Sequence, residues 1–526
     1  MQQYITKLKL TNFKKFKHLE VQFQDGINTI IGDNESGKST ILQAIELVSK
    51  ASRNRVEIIG FESLINKEAC QEFIQLEIKS FNDLPRVHVE LFLSEDIKSE
   101  LSGKYNTDEI ETVGLHMEIL PNESLTREIK QVIEQNPDSF PFEFYVVKFF
   151  TFSGESYTGY SRYLSTLIID NSNINGEYAN KEYTKTVYKS AVSDVQNVWL
   201  KNQYRQHKED FTSNNLNTIN SRLQGEFTFA IRSNSKSNLE TDIGLIQDNI
   251  PIEEKGKGLQ CFVKTEFVLS QNIERKIDVL LLEEPENHLS HTNMKRLISR
   301  ISKSAQSQII ITTHSSLISS RLDLRKAKLL NSISENIGTL SNISEDTAKF
   351  FIKAPDSNIL EFILSSKVIL VEGDAEYMLF ETIYKSMGRS IENDSLHIIS
   401  VDGLSFKRYL ELARILQIKV AVIRDNDGNW QKNCIDNYRE YNDIDNIKIF
   451  YDGDEINRTT FEKCIYQDNK ELCDDIFKNL RSNTPEEFML ANKAESAFRI
   501  ADKCDEENIT LNVPQYIQEA IKWINE

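Results

Sequence analysis

Two charged positions 245 residues apart constrain this chain most: Lys38 in a glycine-bearing loop and Glu283 at the end of an apolar run. The loop reads Gly32-Asp33-Asn34-Glu35-Ser36-Gly37-Lys38-Ser39-Thr40, with an apolar segment at 27–31 before it and a helix-patterned segment at 39–48 behind it. Glycine at 32 and 37 lets backbone N–H groups close around phosphate oxygens without a side chain in the way. Lys38 supplies a point charge to the outer phosphates, and the Ser39 hydroxyl suits the Mg²⁺ shell. The following helix adds its N-terminal dipole. Asn34 and Thr40 complete the set of loop residues expected around ATP. A plain glycine turn is the bland reading, and the strand before and helix after argue against it.

Val279-Leu280-Leu281-Leu282-Glu283-Glu284-Pro285 supplies the partner site. Four apolar residues predict a buried parallel strand, with two acids at its carboxyl end, where α/β sites form. Glu283 fits the position that orients Mg²⁺, and Glu284 fits the base that polarises an attacking water. His314 follows a second apolar run, 309–313, at a spacing from which it can contact the γ-phosphate. The gap from Lys38 to Glu283 exceeds a minimal P-loop fold, so a head split by a large insertion is predicted.

A second chemistry lies downstream. The run 367–371 is a predicted buried strand delivering Glu372, and Glu376 falls one helical turn later, so both carboxylates can face one site. The run 419–423 leads to Asp425 and Asp427, which point the same way on extended chain. Converging acids repel one another unless cations neutralise them, and hard oxygen ligands favour Mg²⁺ or Mn²⁺. Val401-Asp402-Gly403 closes a further strand between them.

Bulk properties bound the alternatives. At 526 residues two or three domains are expected. No apolar run reaches ~20 residues, no signal peptide opens the chain, and the six cysteines show no CxxC pair. A cytoplasmic protein with reduced thiols and no membrane partner is the expectation. The net charge of −18 argues for weak or strongly metal-dependent DNA binding, because phosphate neutralisation usually supplies the affinity.

The pattern predicts an ATPase domain over 1–154 and 226–350, a polar, largely helical insertion over 155–225, a linker at 351–366 and a second α/β unit at 367–526. Strands are read at 73–78 and 87–93, a helix at 184–200 with Val187, Val192, Val195 and Val198 on its apolar side, and a core-packing helix through Ile517, Ala520, Ile521 and Ile524. Asparagine and serine clusters at 171–175 and 233–238 read as loops, and 335–362, with Pro355, as connection plus helix.

The ATPase half resembles the ABC-class heads of SMC and RecF-type proteins, and Lys255-Gly256-Lys257-Gly258-Leu259-Gln260 resembles their signature, which implies that Gly258 caps nucleotide bound to a second head. The spacing Val371-Glu372-Gly373-Asp374-Ala375-Glu376 to Asp425-Asn426-Asp427 is similar to the Toprim domain. Fold class is thus α/β: an ABC/SMC-type head with an inserted helical dimerisation segment, then a Toprim domain with a parallel sheet. The whole order resembles the OLD (overcoming lysogenization defect) nucleases, the broad group that also holds the Gabija A subunit. That resemblance implies that Glu462 joins the metal ligands, that Lys493 stabilises the pentavalent phosphate, and that the chain forms a homodimer or higher oligomer. It further implies ATP-regulated DNA cleavage in anti-phage defence, with a helicase or other effector as partner in some members. A rival reading is an SMC/RecF-like DNA sensor that controls a separate effector, its Toprim a scaffold. Gln71 and Gln75 are equal candidates for a Q-loop glutamine.

Overall fold

The computed structural model describes residues 3–94, 99–159, 163–170, 177–223, 227–232, 238–270, 277–303, 307–330, 337–354, 358–401, 406–478 and 484–526. Pro355, Asp402, Gly403 and the clusters at 171–175 and 233–237 lie outside them. The chain falls into two units, Met1–His314 with Lys326–Ile337, and Ser315–Arg325 with Gly338–Glu526.

In the first unit, β1 (Ile5–Phe13) and β2 (Phe16–Gln22) form an antiparallel hairpin, and β3 (Ile27–Gly32) leads into helix α1 (Lys38–Lys50). Helix α2 (Lys67–Gln75) follows, capped by the Asn66 side chain, which accepts from Ala69 N. Residues 73–78, read as a strand, instead end this helix. Ala69, Cys70 and Phe73 bury at helical spacing, and the Asn66 cap fixes the start, so periodicity of 3.6 wins over the short apolar run. Strands β4 (Val87–Leu93), β5 (Thr112–Pro121) and β6 (Tyr145–Thr151) extend the hairpin to the antiparallel order β2-β1-β4-β5-β6.

Strand β7 (Thr166–Asp170) opens the other sheet. The insertion then supplies α3 (Glu177–Ala191) and α4 (Asp194–Asn215). The predicted helix at 184–200 is thus two helices. Ser193 caps the second by a reciprocal pair with Gln196, so Val187 is buried while Val195 and Val198 stand 81% and 67% exposed. Helix α5 (Lys257–Ser270), β8 (Val279–Glu283), β9 (Gln308–Thr313) and β10 (Ala327–Leu330) complete the unit. The second sheet is parallel in the order β10-β3-β9-β8-β7.

Helix α1 packs against both sheets, burying Ile41, Leu42, Ala44, Ile45, Leu47 and Val48. Each of the isoleucine, leucine and valine side chains contributes about 1.5–3 kcal/mol on burial. Gln308 joins the sheets through polar contacts: its Oε1 accepts from Ile5 N (2.9 Å), and its Nε2 donates to Ile5 O (2.8 Å) and Gln24 O (3.0 Å).

The second unit is built on four parallel strands in the order β12-β11-β13-β14: β11 (Lys367–Val371), β12 (His397–Ser400), β13 (Lys419–Ile423) and β14 (Ile447–Phe450). Four helices matter for the site: α6 (Asp374–Ser386), α7 (Phe461–Asp468), α8 (Lys493–Glu507) and α9 (Gln515–Asn525). Ile517, Ala520, Ile521 and Ile524 are buried on α9, which packs on β13. All six cysteines are free and buried. Among the described residues no helix is long and apolar enough to cross a membrane.

Candidate active sites

The nucleotide loop is set where β3 turns into α1. Gly37 holds φ +103°, and a Cβ there would lie 2.3 Å from the Phe16 ring, so only glycine fits. Asn34 and Ser39 are open to solvent, whereas Thr40 and Lys38 are buried. The Lys38 ammonium donates to Gly32 O (2.7 Å) and Asp33 O (2.8 Å), folded onto the loop that it would leave for a phosphate. Lys15 braces the tip by donating to Glu35 O at 2.7 Å.

Parallel pairing of β8 with β9 and β7 brings the acids to this loop. Glu283 is 9% exposed and pairs in register with Asp170 at the end of β7. Burial first, then the Asp170 charge, push its carboxyl up to about 7, against a hydrogen bond from Ser39 and the Lys38 charge. Burial lowers Lys38, opposed by Glu284, Asp33, Glu286 and Glu283. The turn after β8 places Glu284 in left-handed backbone at φ +42°. Its Oε2 accepts from Asn287 Nδ2 (2.7 Å), and His314 Nδ1 is 3.3 Å from its Oε1.

Glu286 anchors that turn: its Oε1 accepts from Thr313 Oγ1 (2.6 Å) and His314 N (3.0 Å). Asp170 and Glu286 escaped the sequence reading. The run Leu167-Ile168-Ile169-Asp170 repeats the grammar of Leu281-Leu282-Glu283, and that was the available signal. Gln71 and Gln75 lie exposed on α2.

Gly258, in the first turn of α5, abuts the same turn. A Cβ on it would stand 2.0 Å from His288 O. Gly258→Ala must therefore displace α5 or the 285–288 turn, and ATP hydrolysis is expected to fall by about 10²-fold, as misplacements near 1 Å do. A phosphate-release assay checks this.

In the second unit, Glu376 sits in the first turn of α6, Asp425 after β13, Glu462 in the first turn of α7 and Lys493 at the start of α8. These four converge. The Lys493 ammonium is 3.1 Å from Glu462 Oε1, and Asp425 interacts with Glu376, Glu462 and Lys493. Phe461 N donates to Asp425 Oδ1 at 2.8 Å, fixing α7 against the end of β13. Burial first, then Glu376 and Glu462, push Asp425 up to about 8. Burial first, then Glu462, push Glu376 up to about 7. Burial alone would lower Lys493, but the charges of Glu462, Asp425 and Glu376 raise it.

The other two predicted ligands take a different partner. Glu372 and Asp427 both pair with the Arg424 guanidinium, Asp427 Oδ2 at 3.3 Å. Arg424 was not singled out by the sequence reading.

The converging acids fit a divalent cation. Glu462 is 3% exposed, yet neither of its carboxylate oxygens receives a hydrogen bond, and three acids face one ammonium. Glu376, Asp425 and Glu462 would hold the ion, with oxygen donors suited to Mg²⁺ or Mn²⁺. Bound there, such an ion would polarise a phosphate and acidify a water.

A pH dependence follows. The folded state of the metal-free protein holds protons on Glu376 and Asp425 more tightly than the unfolded chain. Their contribution is full below the ordinary carboxylate range and is lost as pH rises through about 7 and 8. Melting temperature in chelator is expected to fall from pH 5 to pH 8, and Mn²⁺ is expected to cancel the fall. Calorimetric melts across that range test it.

A family model described as "Overcoming lysogenization defect protein-like, TOPRIM domain" matches residues 363–427. An AAA ATPase domain model matches 4–228, and an AAA domain model matches 247–320. Endonuclease GajA of Bacillus cereus (strain HuB5-5) is similar at 20% identity over 99% of this chain and 99% of its own. An ATP/GTP phosphatase of Helicobacter pylori is 22% identical over 59% of this chain and 85% of its own. The solved C-terminal region of the Burkholderia pseudomallei OLD protein aligns at 18% identity over 31% of this chain and 97% of its own, TM-score 0.24. The chain thus matches AAA ATPase domain models followed by an OLD-like Toprim domain model.

Proposed function

We propose that this chain is an ATP-regulated, divalent-metal-dependent DNA endonuclease acting in cytoplasmic anti-phage defence. The convergence of Glu376, Asp425 and Glu462 with Lys493 carries the reading. Three buried acids facing one ammonium cost stability unless a cation uses them, and a scaffold has no need of them. Lys493 would meet the charge that develops on the scissile phosphate. Glu372 and Asp427 would belong to the same metal-holding set once released from Arg424. Lys38, Ser39, Glu283, Glu284 and His314 would bind and hydrolyse ATP, with Gly258 presented to a second head. Similarity to endonuclease GajA along the whole chain supports the same reading.

A homodimer or larger assembly is part of the proposal. Val195, Val198 and Trp199 stand exposed on α4, at 81%, 67% and 59%, an apolar face suited to a second copy. With a net charge of −18, DNA affinity would depend on the bound metal. A helicase or other effector would be an additional partner.

Hydrolysis leaves free DNA ends, whereas strand passage leaves a phosphotyrosine link. Product DNA from a Mn²⁺ reaction is expected to stay in the aqueous phase on phenol extraction without protease. Protein-linked DNA ends would overturn the hydrolytic reading.

A further inference from the structure

Away from both sites, the antiparallel sheet of the first unit carries a buried polar cluster. His88 lies on β4, and His116 and Glu118 lie on β5. The register pairs His88 with Glu118 and Glu90 with His116, so all four side chains share one face. His88 Nδ1 is 3.0 Å from His116 Nε2. Glu118 Oε1 lies 3.9 Å from His88 Nδ1 and 3.8 Å from His116 Nδ1.

Tyr105 covers the group. Its ring packs on His116, centroids 5.6 Å apart, and its hydroxyl donates to Glu118 Oε1 at 3.2 Å. Glu90 is committed elsewhere, accepting from Thr107 N and Oγ1, both at 2.6 Å.

A hydrogen-bonded imidazole pair would explain the short nitrogen contact, but it leaves a remainder. His116 is 3% exposed, and its Nδ1, aimed toward Glu118, has no hydrogen-bond partner. A buried bare nitrogen is costly unless something is meant to occupy it.

We propose that His88, His116 and Glu118 form a binding site for one divalent transition-metal ion, Zn²⁺ by its donor set, sharing no residue with the nucleotide or carboxylate sites. One ligand atom from each lies within 4.8 Å of the others. Zn–N bonds of ~2.0–2.1 Å and Zn–O bonds of ~2.0–2.2 Å require ligand atoms roughly 3.3 Å apart, so side-chain rotation on binding must draw the three ligand atoms together. Two imidazoles and one carboxylate favour Zn²⁺, Ni²⁺ or Co²⁺ over Mg²⁺. His88, 24% exposed at its side chain, gives access and leaves a coordination position to water. Burial, and for His88 its neighbour His116, lowers both imidazoles to about 4, so neither needs to release a proton on binding. The ion would tie β4 to β5 beneath the Tyr105 segment.

The test uses the full chain, stripped with chelator and held in excess Mg²⁺ so that the oxygen-only carboxylates are occupied. Co²⁺ is expected to give the intense visible absorption of a four-coordinate, nitrogen-containing site, discharged by one equivalent of Zn²⁺. Zn²⁺ is expected to raise the melting temperature. His88→Ala, at a partly open position, and Glu118→Gln, which keeps the shape, should each weaken Zn²⁺ binding about 10-fold or more and remove the thermal shift while retaining ATP binding. Wild-type Zn²⁺ affinity and an unchanged Co²⁺ spectrum in His88→Ala would reduce the cluster to a hydrogen-bonded pair and overturn the proposal.

Discussion

Replacing Asp425 with asparagine is expected to lower DNA cleavage by about 10²–10³-fold while leaving ATP hydrolysis in place. The scale is that of removing one group that stabilises transition-state charge. The change is conservative in shape, since the asparagine carbonyl can still accept from Phe461 N, which now donates to Asp425 Oδ1 at 2.8 Å. It is not conservative in charge. Burial and the neighbouring acids Glu376 and Glu462 already push this carboxyl up to about 8, so the folded protein carries the ionised form at a cost. Asp425→Asn should therefore raise the melting temperature of the metal-free protein at pH 8 while weakening Mn²⁺ binding. A residue that served only the scaffold would do the opposite, losing stability and sparing the metal. Plasmid cleavage, Mn²⁺ titration calorimetry and thermal melts on one preparation separate the two.

Glu284→Gln is expected to reduce ATP hydrolysis by about 10²–10⁴-fold with nucleotide binding retained, the scale of losing a general base. Glu284 is held in a fixed orientation. Left-handed backbone at φ +42° turns it out of β8, and Asn287 and His314 flank its carboxylate at 2.7 and 3.3 Å. Glutamine keeps the acceptor for Asn287 but cannot take a proton from water. The loop proposed to hold phosphate is untouched, and Lys38 can still exchange Gly32 O and Asp33 O for a nucleotide. Phosphate release together with retention of labelled ATP on the purified protein reads both quantities. Equal loss of binding and turnover would mean that Glu284 supports the loop and does not act on water.

The parts of this molecule written in local pattern were legible in its sequence. Apolar runs ending in Glu283, Glu372 and Asp425 are strands in the structure, and α9 buries the four residues its spacing named. Long-range partners were harder. Arg424 sits on the residue before Asp425, and nothing in the pattern says that its guanidinium reaches Glu372. Asp170 becomes Glu283's neighbour only through parallel pairing of β7 with β8 across the whole insertion. Short apolar runs misled where a cap decided the outcome, as at Asn66 for residues 73–78, and a capping box at Ser193 split a helix that valine spacing alone made continuous. Glu462 and Lys493 enter only through the family resemblance. As isolated residues they read as surface charges, yet the fold brings them to 3.1 Å of each other beside Asp425.

The central claim is that the Toprim carboxylates cut DNA. Its most direct test is incubation of supercoiled plasmid with wild-type and Asp425→Asn protein, in Mg²⁺ or Mn²⁺, with and without ATP. The account predicts nicked or linear product with wild type that disappears in the variant and in chelator. Intact plasmid in every wild-type lane, with ATP still hydrolysed, would contradict it.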